Sequence, residues 1–273
     1  MTRAAVMAAL VVLTRPASRN EGLAALLRDD GFDVACLPAL ALETVVHAPE
    51  QMMWPDGFDL VVFVSSHAAQ SYLDCLQRWR PGSTWPAHVN VATVGYASAR
   101  PIYQFGQVPI QHIFHPSPDQ NQDSEALWEV LAPVLPRLKR VLIVRGQAGR
   151  EWLGEQFECH GIDVSRLSLY RRVPAVWHEN QAAVLARALP SEQPTVFLLT
   201  SSESVDAVYA NIQRLGLVSH WAQCRFIVIH ERIAARLQTI LRASGVNTRH
   251  PIQHCAPNDD AIRRAVHLSV SHA

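Results

Sequence analysis

The sequence has no excess of either charge. Its 24 lysines and arginines are balanced by 24 aspartates and glutamates, and charged residues fill only 18% of its 273 positions. A broad surface for nucleic acid or for acidic lipid needs a basic excess, so neither partner is expected. An anionic ligand must therefore be met by arginines gathered locally in a cleft.

Paired cysteines and long apolar runs are missing too. The five cysteines are scattered with no C-x-x-C spacing, which is typical of reduced thiols in a cytosolic protein. Residues 1–13 resemble a signal peptide superficially, but their second half belongs to a repeated strand and no small-residue cleavage site follows. No run approaches transmembrane length. We therefore expect a cytoplasmic protein that does not associate with membranes.

The motifs of several cofactor and hydrolase chemistries are also absent. The turn Gly146-Gln147-Ala148-Gly149 fits neither a P-loop nor the dinucleotide pattern G-x-G-x-x-G, so no nucleotide cofactor is expected. His250 and His254 stand beside Cys255, but Pro251 argues against a helix that would bring both imidazoles to one face, so we expect no metal. There is no G-x-S-x-G elbow, and hydrolase chemistry has no support.

What the sequence does contain is a repeat. Residues 11–37 and residues 141–172 follow the same order of strand, arginine-bearing turn, helix, glycine and strand. Four pairs keep one constant offset of 130, namely Arg15 with Arg145, Gly31 with Gly161, Val34 with Val164 and Leu37 with Leu167. Residues 58–76 and 195–212 repeat a strand and a helix at an offset near 136. These registers indicate a duplicated chain.

Strand-like and helix-like segments alternate throughout, which indicates α/β domains with parallel sheets. The runs FDLVVFV (58–64) and TVFLL (195–199) are continuously apolar after Asp59 and Thr195, as strands buried on both faces are. Further strands are expected at 108–114 and 246–253. With 49% apolar residues the chain can bury one large core or two ordinary ones, and we predict two doubly wound domains. The residues leave open whether the first strand and helix stay with the segment that follows or join the C-terminal sheet.

Polar groups follow four of the predicted strands, where parallel α/β sheets bind their ligands. They are Arg15, Ser65, Ser66, Arg145 with Gly146 and Arg150, and Thr200 with Ser201 and Ser202. Gly95 supplies a fifth turn that can approach a ligand closely. Taken singly, the serines can be helix caps and the arginines can pair within the protein. As a duplicated set they suit a ligand that bears carboxylates or phosphates, and we favour that interpretation.

Tyr170 ends an alternating strand beside Arg171 and Arg172. One interpretation is a sheet tyrosine with a solvated hydroxyl. The other is a proton donor held near the crevice, because neighbouring cations make proton donation easier. The sequence alone does not decide between them.

The order and spacing of these motifs resemble the uroporphyrinogen-III synthase family of tetrapyrrole and heme biosynthesis. The motifs are V-L-T-R-P (12–16), F-V-S-S-H-A-A (63–69), V-G-Y-A-S-A (94–99), L-I-V-R-G-x-x-G-R (142–150), L-x-L-Y-R-R (167–172) and L-T-S-S (199–202). The resemblance covers residues 11–266, which is almost the whole chain.

The resemblance implies a fold of two doubly wound, flavodoxin-like parallel-sheet domains joined by a two-stranded hinge, near 36–40 and 169–173. The N-terminal strand and helix would cross to the C-terminal domain. One domain would then be discontinuous, 1–37 plus 171–273, and the other, 38–170, would be inserted into it.

The resemblance also implies a lyase reaction without cofactor or metal, carried out by a monomer in an interdomain cleft. Hydroxymethylbilane, a linear polycarboxylate, loses water from its terminal hydroxymethyl group, and the macrocycle closes through a spiro intermediate with its last pyrrole ring inverted. Such a flexible substrate must above all be folded and held. The family's conserved tyrosine, a candidate acid for the leaving hydroxyl, falls on Tyr170. Gly95 and Ser98 keep the small residues of a substrate-contacting turn.

The second half departs from the family's I-G-x-x-T-A motif, with His230 in place of glycine and Ile233 in place of threonine. A bulky residue at a close-approach turn and a lost hydroxyl put substrate contacts there in question. This departure favours an alternative, a non-catalytic homologue that binds a tetrapyrrole or another polyanion. A two-lobed sugar or amino-acid receptor is a third possibility, against which the lack of a signal peptide counts.

Overall fold

The structure is a computed structural model that describes residues 8–45 and 47–271, with only the backbone of Ser18. The first seven residues, which form part of the signal-like segment, lie outside the described residues. The strands are β1 (Leu10–Leu13), β2 (Asp33–Cys36), β3 (Leu40–Thr44), β4 (Leu60–Phe63), β5 (Asn90–Thr93), β6 (Ile113–Phe114), β7 (Arg140–Gly146), β8 (Asp163–Pro174), β9 (Thr195–Leu199), β10 (Arg225–Val228) and β11 (Gln253–His254).

The α-helices alternate with these strands. They are α1 (Glu21–Asp29), α2 (Ser66–Trp79), α3 (Arg100–Phe105), α4 (Ser124–Leu131), α5 (Trp152–Cys159), α6 (Glu179–Ala188), α7 (Ser202–Arg214), α8 (Val218–Trp221), α9 (Glu231–Ala243) and α10 (Asp259–Ser271). Among the described residues, no helix combines the length and the apolar character that a membrane span requires.

The chain divides into two compact units. Unit 1 comprises Met1–Ala41 with Val173–Ala273, and unit 2 comprises Leu42–Arg172. The chain therefore passes between the units twice, once within β3 and once within β8.

The sheet of unit 1 has the strand order β11-β10-β9-β1-β2. Numbered along this unit alone, the order is 2-1-3-4-5, which is that of flavodoxin-like folds. All its neighbouring strands are parallel, and Val11 lies opposite Val34 on one side and Val196 on the other. Side chains alternate across β1: Val12 packs in a core with α6, α7 and α9, while Val11 packs in a second core with α1 and α10. Because both faces are covered, β1 is apolar without interruption.

The sheet of unit 2 has the order β3-β8-β7-β4-β5-β6. Apart from the additional edge strand β3, equivalent strands of the repeat lie in the same places, with β8 and β7 where unit 1 has β2 and β1. The registers also repeat. Val141 lies opposite Val164 and Leu60, just as Val11 lies opposite Val34 and Val196. One face packs against α2 and α3, and the other against α4 and α5. The predicted fold class, two doubly wound parallel α/β domains, is confirmed.

The two copies of the repeat have exchanged their first strand–helix–strand segments. β1-α1-β2 of the first copy lies in the sheet formed by β9, β10 and β11 of the second copy. Conversely, β7-α5-β8 of the second copy lies with β4, β5 and β6 of the first. This arrangement answers the question that the sequence left open, because the N-terminal strand and helix do join the C-terminal sheet.

The strands predicted at 108–114 and 246–253 are mostly wrong, because the structure has only two-residue strands there. Of 108–114 only Ile113–Phe114 is a strand, because Pro109 cannot donate to a ladder and Ile110–His112 form a 3-10 turn. Of 246–253 only Gln253 is part of a strand, the two-residue β11. Pro251 again removes a donor from this stretch. Both short strands are edge strands, where few ladder bonds are needed.

Candidate active site

Unit 2 has a topological switch point at the carboxyl ends of two neighbouring strands, β4 and β7. The helix after β4, α2, packs on one face of the sheet through Leu73, and the helix after β7, α5, packs on the other through Phe157. The chain therefore leaves these adjacent strands in opposite directions. Ligands bind at such switch points in open α/β sheets. Ser65 and Arg145 stand at the two strand ends, as predicted.

Tyr170 extends from β8 into this region and is buried, with 7% of its surface exposed. Its hydroxyl lies 3.0 Å from Ser65 Oγ, and the ring of His67 stacks edge-on against its ring at 4.8 Å between centroids. Of the two interpretations that the sequence left open, burial disfavours a sheet tyrosine with a solvated hydroxyl. Tyr170 is a buried side chain whose hydroxyl contacts the helix start at the end of β4.

Gly146 makes room for the Tyr170 ring. The pairing of β7 with β8 shifts between Arg145 and Gly146, so that Gly146 lies opposite Tyr170. A Cβ on Gly146 would stand only 2.7 Å from Cε2 of that ring, which is closer than real Cβ contacts allow. Gln147 N–H donates to the Tyr170 carbonyl at 2.8 Å and fixes the strand beside the bulge. Any side chain at position 146 would displace the ring.

Ser65 caps α2 as well as touching Tyr170. Its backbone is extended, and its Oγ accepts the N–H of Ala68 at 3.1 Å. Ser66 follows in the first turn and is exposed. His67 Nε2 is buried and has no hydrogen-bond partner among the described residues. The start of α2 therefore presents the N–H groups of its first turn, the Ser66 hydroxyl and the His67 imidazole. Such groups are suited to contact an anionic or hydroxyl-bearing ligand.

Arg145 is buried, and its charge is balanced within the protein. Its Nη1 donates to Glu151 at 2.5 Å and its Nε donates to the Gly146 carbonyl at 3.1 Å. Only 8% of the side chain is exposed. Partial burial opposes ionisation of Glu151, but hydrogen bonds from Arg145 and Arg166 hold the pKa of its carboxyl below the usual value. The arginine thus braces the turn between β7 and α5.

Two further predicted contacts of unit 2 lie at neighbouring turns. Arg150 is exposed and forms a two-pronged ion pair with Glu125. Gly95 caps the 3-10 helix that precedes α3, and its carbonyl accepts the N–H of Ser98 at 2.9 Å. A Cβ at Gly95 would stand 3.2 Å from the side chain of Gln122. Gly95 is therefore crowded by Gln122, which accepts the N–H of Tyr96.

Unit 1 repeats the helix cap but not the tyrosine. Ser201 Oγ accepts the N–H of Ser204 at 3.0 Å, and Ser204 Oγ accepts the N–H of Ser201 at the same distance. Thr200 and Ser202 flank this cap and are partly exposed. At the offset of 130 that aligns the repeats, Leu40 takes the place of Tyr170. Unit 1 therefore offers helix amides and hydroxyls without a proton donor at that position.

Arg15 occupies in unit 1 the place that Arg145 has in unit 2. Its Nη1 pairs with Asp259 at 2.8 Å, and its side chain is 12% exposed. Its Nη2 is buried and has no hydrogen-bond partner in the described part of the chain. The Nη2 group of Arg15 can therefore donate to a ligand without breaking a hydrogen bond to the described part of the chain.

The two departures from the family motif have local structural roles. His230 caps α9, where its Nδ1 accepts the N–H of Arg232 at 3.2 Å. Its φ of −161° is extended backbone, which any residue adopts, so the turn does not require glycine. Ile233 is 1% exposed and packs in the core of unit 1.

Sequence reasoning placed the strand-end residues but missed their partners. His67 appeared only as one letter of a motif, and Glu151 and Asp259 were not recognised as partners of the two arginines. Glu151 could have been found from the sequence, because it is the acidic residue that directly follows the arginine-bearing turn 145–150. No group of three or more histidine, cysteine, aspartate or glutamate side chains in 8–45 and 47–271 is arranged to hold a metal ion.

Comparison with known proteins decides the family. The family model described as Uroporphyrinogen-III synthase HemD matches residues 21–245. The chain belongs to the uroporphyrinogen-III synthase family. The resemblance inferred from the motifs is thereby confirmed.

Curated relatives and a solved structure agree with this assignment. The chain is 27% identical over 230 residues to the uroporphyrinogen-III synthase of Salmonella typhimurium, covering 82% of this chain and 88% of that protein. It is 27% identical over 233 residues to that of Escherichia coli, with the same coverage. A crystal structure of uroporphyrinogen-III synthetase from Helicobacter pylori 26695 matches with a TM-score of 0.53 at 14% identity, covering 97% of this chain and 100% of that one. This last likeness supports the fold.

Proposed function

We propose that the protein is the lyase that converts hydroxymethylbilane into uroporphyrinogen III in tetrapyrrole biosynthesis. The observation that carries this proposal is the family match across residues 21–245, together with two relatives that bear the same enzyme name. The reaction removes one water and closes the macrocycle with the last pyrrole ring inverted. The geometry adds a specific set of groups at the carboxyl ends of β4 and β7 in unit 2.

Tyr170 is proposed as the proton donor. Its O–H proton passes to the leaving hydroxyl of the substrate, the carbon–oxygen bond breaks, and water departs. The substituted α-carbon of the last pyrrole then attacks and forms the spiro intermediate, and its older bond to the bridging methylene breaks. That methylene bonds to the other α-carbon of the ring, which loses its proton, and this proton restores the phenol. The overall reaction therefore needs no cofactor. The buried setting of Tyr170, held between Ser65, His67 and Gly146, supports this role because a positioned acid avoids reorganisation during reaction.

Carboxylate binding is proposed for the other predicted residues. In unit 2 these are Ser66, Gly95, Ser98, Arg145, Gly146 and Arg150, and in unit 1 they are Arg15, Thr200, Ser201 and Ser202. Partial exposure of the helix starts at α2 and α7 supports contacts through their amides. The unused Nη2 of Arg15 supports a direct contact there. Arg145 is already neutralised by Glu151, so we propose that it acts mainly by shaping its turn.

We further propose that the enzyme works as a cytoplasmic monomer and that its two catalytic domains correspond to the two compact units. The expected size is 30.3 kDa. Sedimentation equilibrium of the purified protein at micromolar concentration tests the oligomeric state, because a dimer would give twice the mass of the monomer.

The experiment for the proposed function is to supply hydroxymethylbilane and to separate the type III from the type I product. The unassisted reaction gives type I, so type III identifies catalysis. His230 and Ile233 keep a second candidate in view, the non-catalytic tetrapyrrole-binding homologue. That candidate predicts only type I product, together with retention of uroporphyrinogen on the protein in equilibrium dialysis.

A further inference from the structure

Ser65 occupies a position that joins a helix terminus to the phenol of Tyr170. On one side its Oγ accepts the N–H of Ala68 at 3.1 Å, and on the other it lies 3.0 Å from the Tyr170 hydroxyl. A serine hydroxyl carries one donor and two acceptor positions. It can therefore serve both contacts at once, accepting from the helix and donating to the tyrosine.

The direction of the second hydrogen bond becomes fixed once Tyr170 gives up its proton. A phenolate can only accept, so Ser65 must then be the donor. Its oxygen is meanwhile bound to an amide in the first turn of α2, where the helix carries partial positive charge. Two consecutive hydrogen bonds, from Ala68 N–H to Ser65 Oγ and from Ser65 O–H to the Tyr170 oxygen, thus connect the helix start to the tyrosine. The partial positive charge of the helix start then stabilises the negative charge that develops on Tyr170.

The duplicated half of the protein shows that the cap alone does not require this contact. Ser201 caps α7 with the same geometry, and its Oγ accepts the N–H of Ser204 at 3.0 Å. The repeat position equivalent to Tyr170 is Leu40, which has no hydroxyl. The phenol–serine contact of unit 1, Tyr209 with Ser244 at 2.7 Å, lies at the end of α9 and not at a helix start. The contact of the N-capping Ser65 with Tyr170 is therefore a feature that the equivalent cap of unit 1 does not share.

We propose that Ser65 is a positioning residue that holds Tyr170 and stabilises its phenolate during loss of water from the substrate. This inference rests on the proposed function. It differs from the substrate contact predicted for Ser65 from the sequence, because the hydroxyl is directed to Tyr170 and not to a substrate carboxylate. In the reaction the Tyr170 proton moves to the leaving hydroxyl and water leaves. Ser65 donates its hydrogen bond throughout without transferring a proton, and ring closure returns a proton to Tyr170.

Three variants of Ser65 separate its role as the cap of α2 from its role as a hydrogen-bond donor to Tyr170. Ser65→Ala removes both the cap and the donor. Ser65→Asp keeps a good cap but can only accept, and Ser65→Thr keeps both functions. We expect kcat to fall about 10- to 100-fold in the alanine variant, and at least as far in the aspartate variant, because hydrogen bonds to charged groups have this strength. The threonine variant should recover most of the rate, and the aspartate variant should melt near the parent temperature.

Two further measurements make the test specific. In a Tyr170→Phe background, Ser65→Ala should slow turnover by less than about twofold, because there is no phenolate left to stabilise. Asp123→Ala removes the cap of α4, which accepts the N–H of Ala126 at 2.9 Å, and serves as a control for cap loss alone. This control should lower the melting temperature and leave kcat unchanged.

The outcomes distinguish this inference from the proposed function. If the parent protein forms type III product but Ser65→Asp keeps its kcat, the inference is wrong and the function stands. A rise in KM at constant kcat in Ser65→Ala would make Ser65 a substrate contact and would likewise overturn it. Equal slowing by Ser65→Ala with and without the Tyr170 hydroxyl would contradict the coupling. If the parent protein forms only type I product, the proposed function fails, and the inference fails with it.

Discussion

The hydroxyl groups of Ser65 and Tyr170 meet at 3.0 Å although 105 residues separate them in the chain. Ser65 follows β4 and Tyr170 lies on β8, two strands that are separated only by β7 in the sheet of unit 2. The bulge in β7–β8 and the absence of a side chain at Gly146 bring the tyrosine ring across β7 towards β4. The geometry that we assign to catalysis is therefore a product of strand order, one bulge and one glycine.

Replacing Tyr170 by phenylalanine should slow turnover and leave folding intact. Loss of a general acid typically costs about 10²- to 10⁴-fold in rate. Loss of one hydrogen bond should cost about 0.5–1.5 kcal/mol of unfolding free energy. Steady-state kinetics and urea unfolding measure the two effects separately.

The matched control for this variant is Tyr209→Phe in unit 1. The Tyr209 hydroxyl also contacts a serine, Ser244 Oγ, at 2.7 Å. The control should show a similar loss of stability with an unchanged rate. If Tyr170→Phe turns over as fast as the parent protein, Tyr170 has no part in the mechanism.

Introducing a methyl group at Gly146 should reduce activity by moving the Tyr170 ring. The added Cβ would stand 2.7 Å from Cε2, and the ring is buried and packed, so it cannot swing aside freely. Overpacking of this kind typically costs about 1–3 kcal/mol of stability. Gly57→Ala is the control, because nothing lies within 4 Å of a Cβ there. A Gly146→Ala enzyme with parental kcat and stability would show that the ring position does not matter.

Arg15→Ala should raise the substrate concentration needed for half-maximal rate, while kcat changes little. The reason is that Arg15 Nη2 is buried without a partner in the described residues, whereas Nη1 is bound to Asp259. Asp259→Asn weakens the same ion pair but leaves the guanidinium in place. If both variants raise KM equally, the arginine is structural. If only Arg15→Ala does so, it contacts the substrate. We expect Arg145→Ala to raise KM as well, with a loss of stability because its side chain is buried.

Protonation of Asp30 in acid should remove part of the protein's stability. Hydrogen bonds from Arg263 and His267 hold the pKa of this carboxyl far below its usual range. Since the folded-state pKa is depressed, the stabilisation is complete above the unfolded value of about 3.9 and is lost as pH falls from there towards the folded pKa. The difference in unfolding free energy between the parent protein and Asp30→Asn should therefore be constant near neutral pH and narrow below about pH 4.

The control for acid stability is Asp119→Asn, an exposed loop residue. Its effect on unfolding free energy should be small at every pH. A gap between the parent protein and Asp30→Asn that widens on acidification would contradict the assignment.

Strands that are buried on both faces could be predicted from the sequence, because β4 is apolar at every position and β9 at every position after Thr195. The short edge strands β6 and β11 could not, since their pairing depends on two residues each. Helix α6 was missed because its buried stripe consists of Ala182, Leu185 and Ala188, which gives a weak periodic signal. The residues alone left the exchange of segments between repeats open, because Val11 and Val141 occupy equivalent places in their sheets, and only the family resemblance implied it.

The candidate site was predictable at the level of strand ends but not of partners. Ser65 and Ser201 follow apolar runs and were correctly placed at helix starts. The ion pair of Arg15 with Asp259 spans 244 residues, and no local pattern encodes it. The sequence left open whether the Tyr170 hydroxyl is solvated or held inside, and the structure buries the side chain beside the bulge at Gly146. Tertiary packing, which sequence periodicity does not report, decided each of these contacts.

The most direct test of the account is the isomer composition of uroporphyrinogen formed from hydroxymethylbilane as the protein concentration is raised. The parent protein should shift the product from type I to nearly all type III, and Tyr170→Phe should need far more protein for the same shift. A product that stays type I at every concentration of the parent protein would show that the protein does not catalyse formation of uroporphyrinogen III.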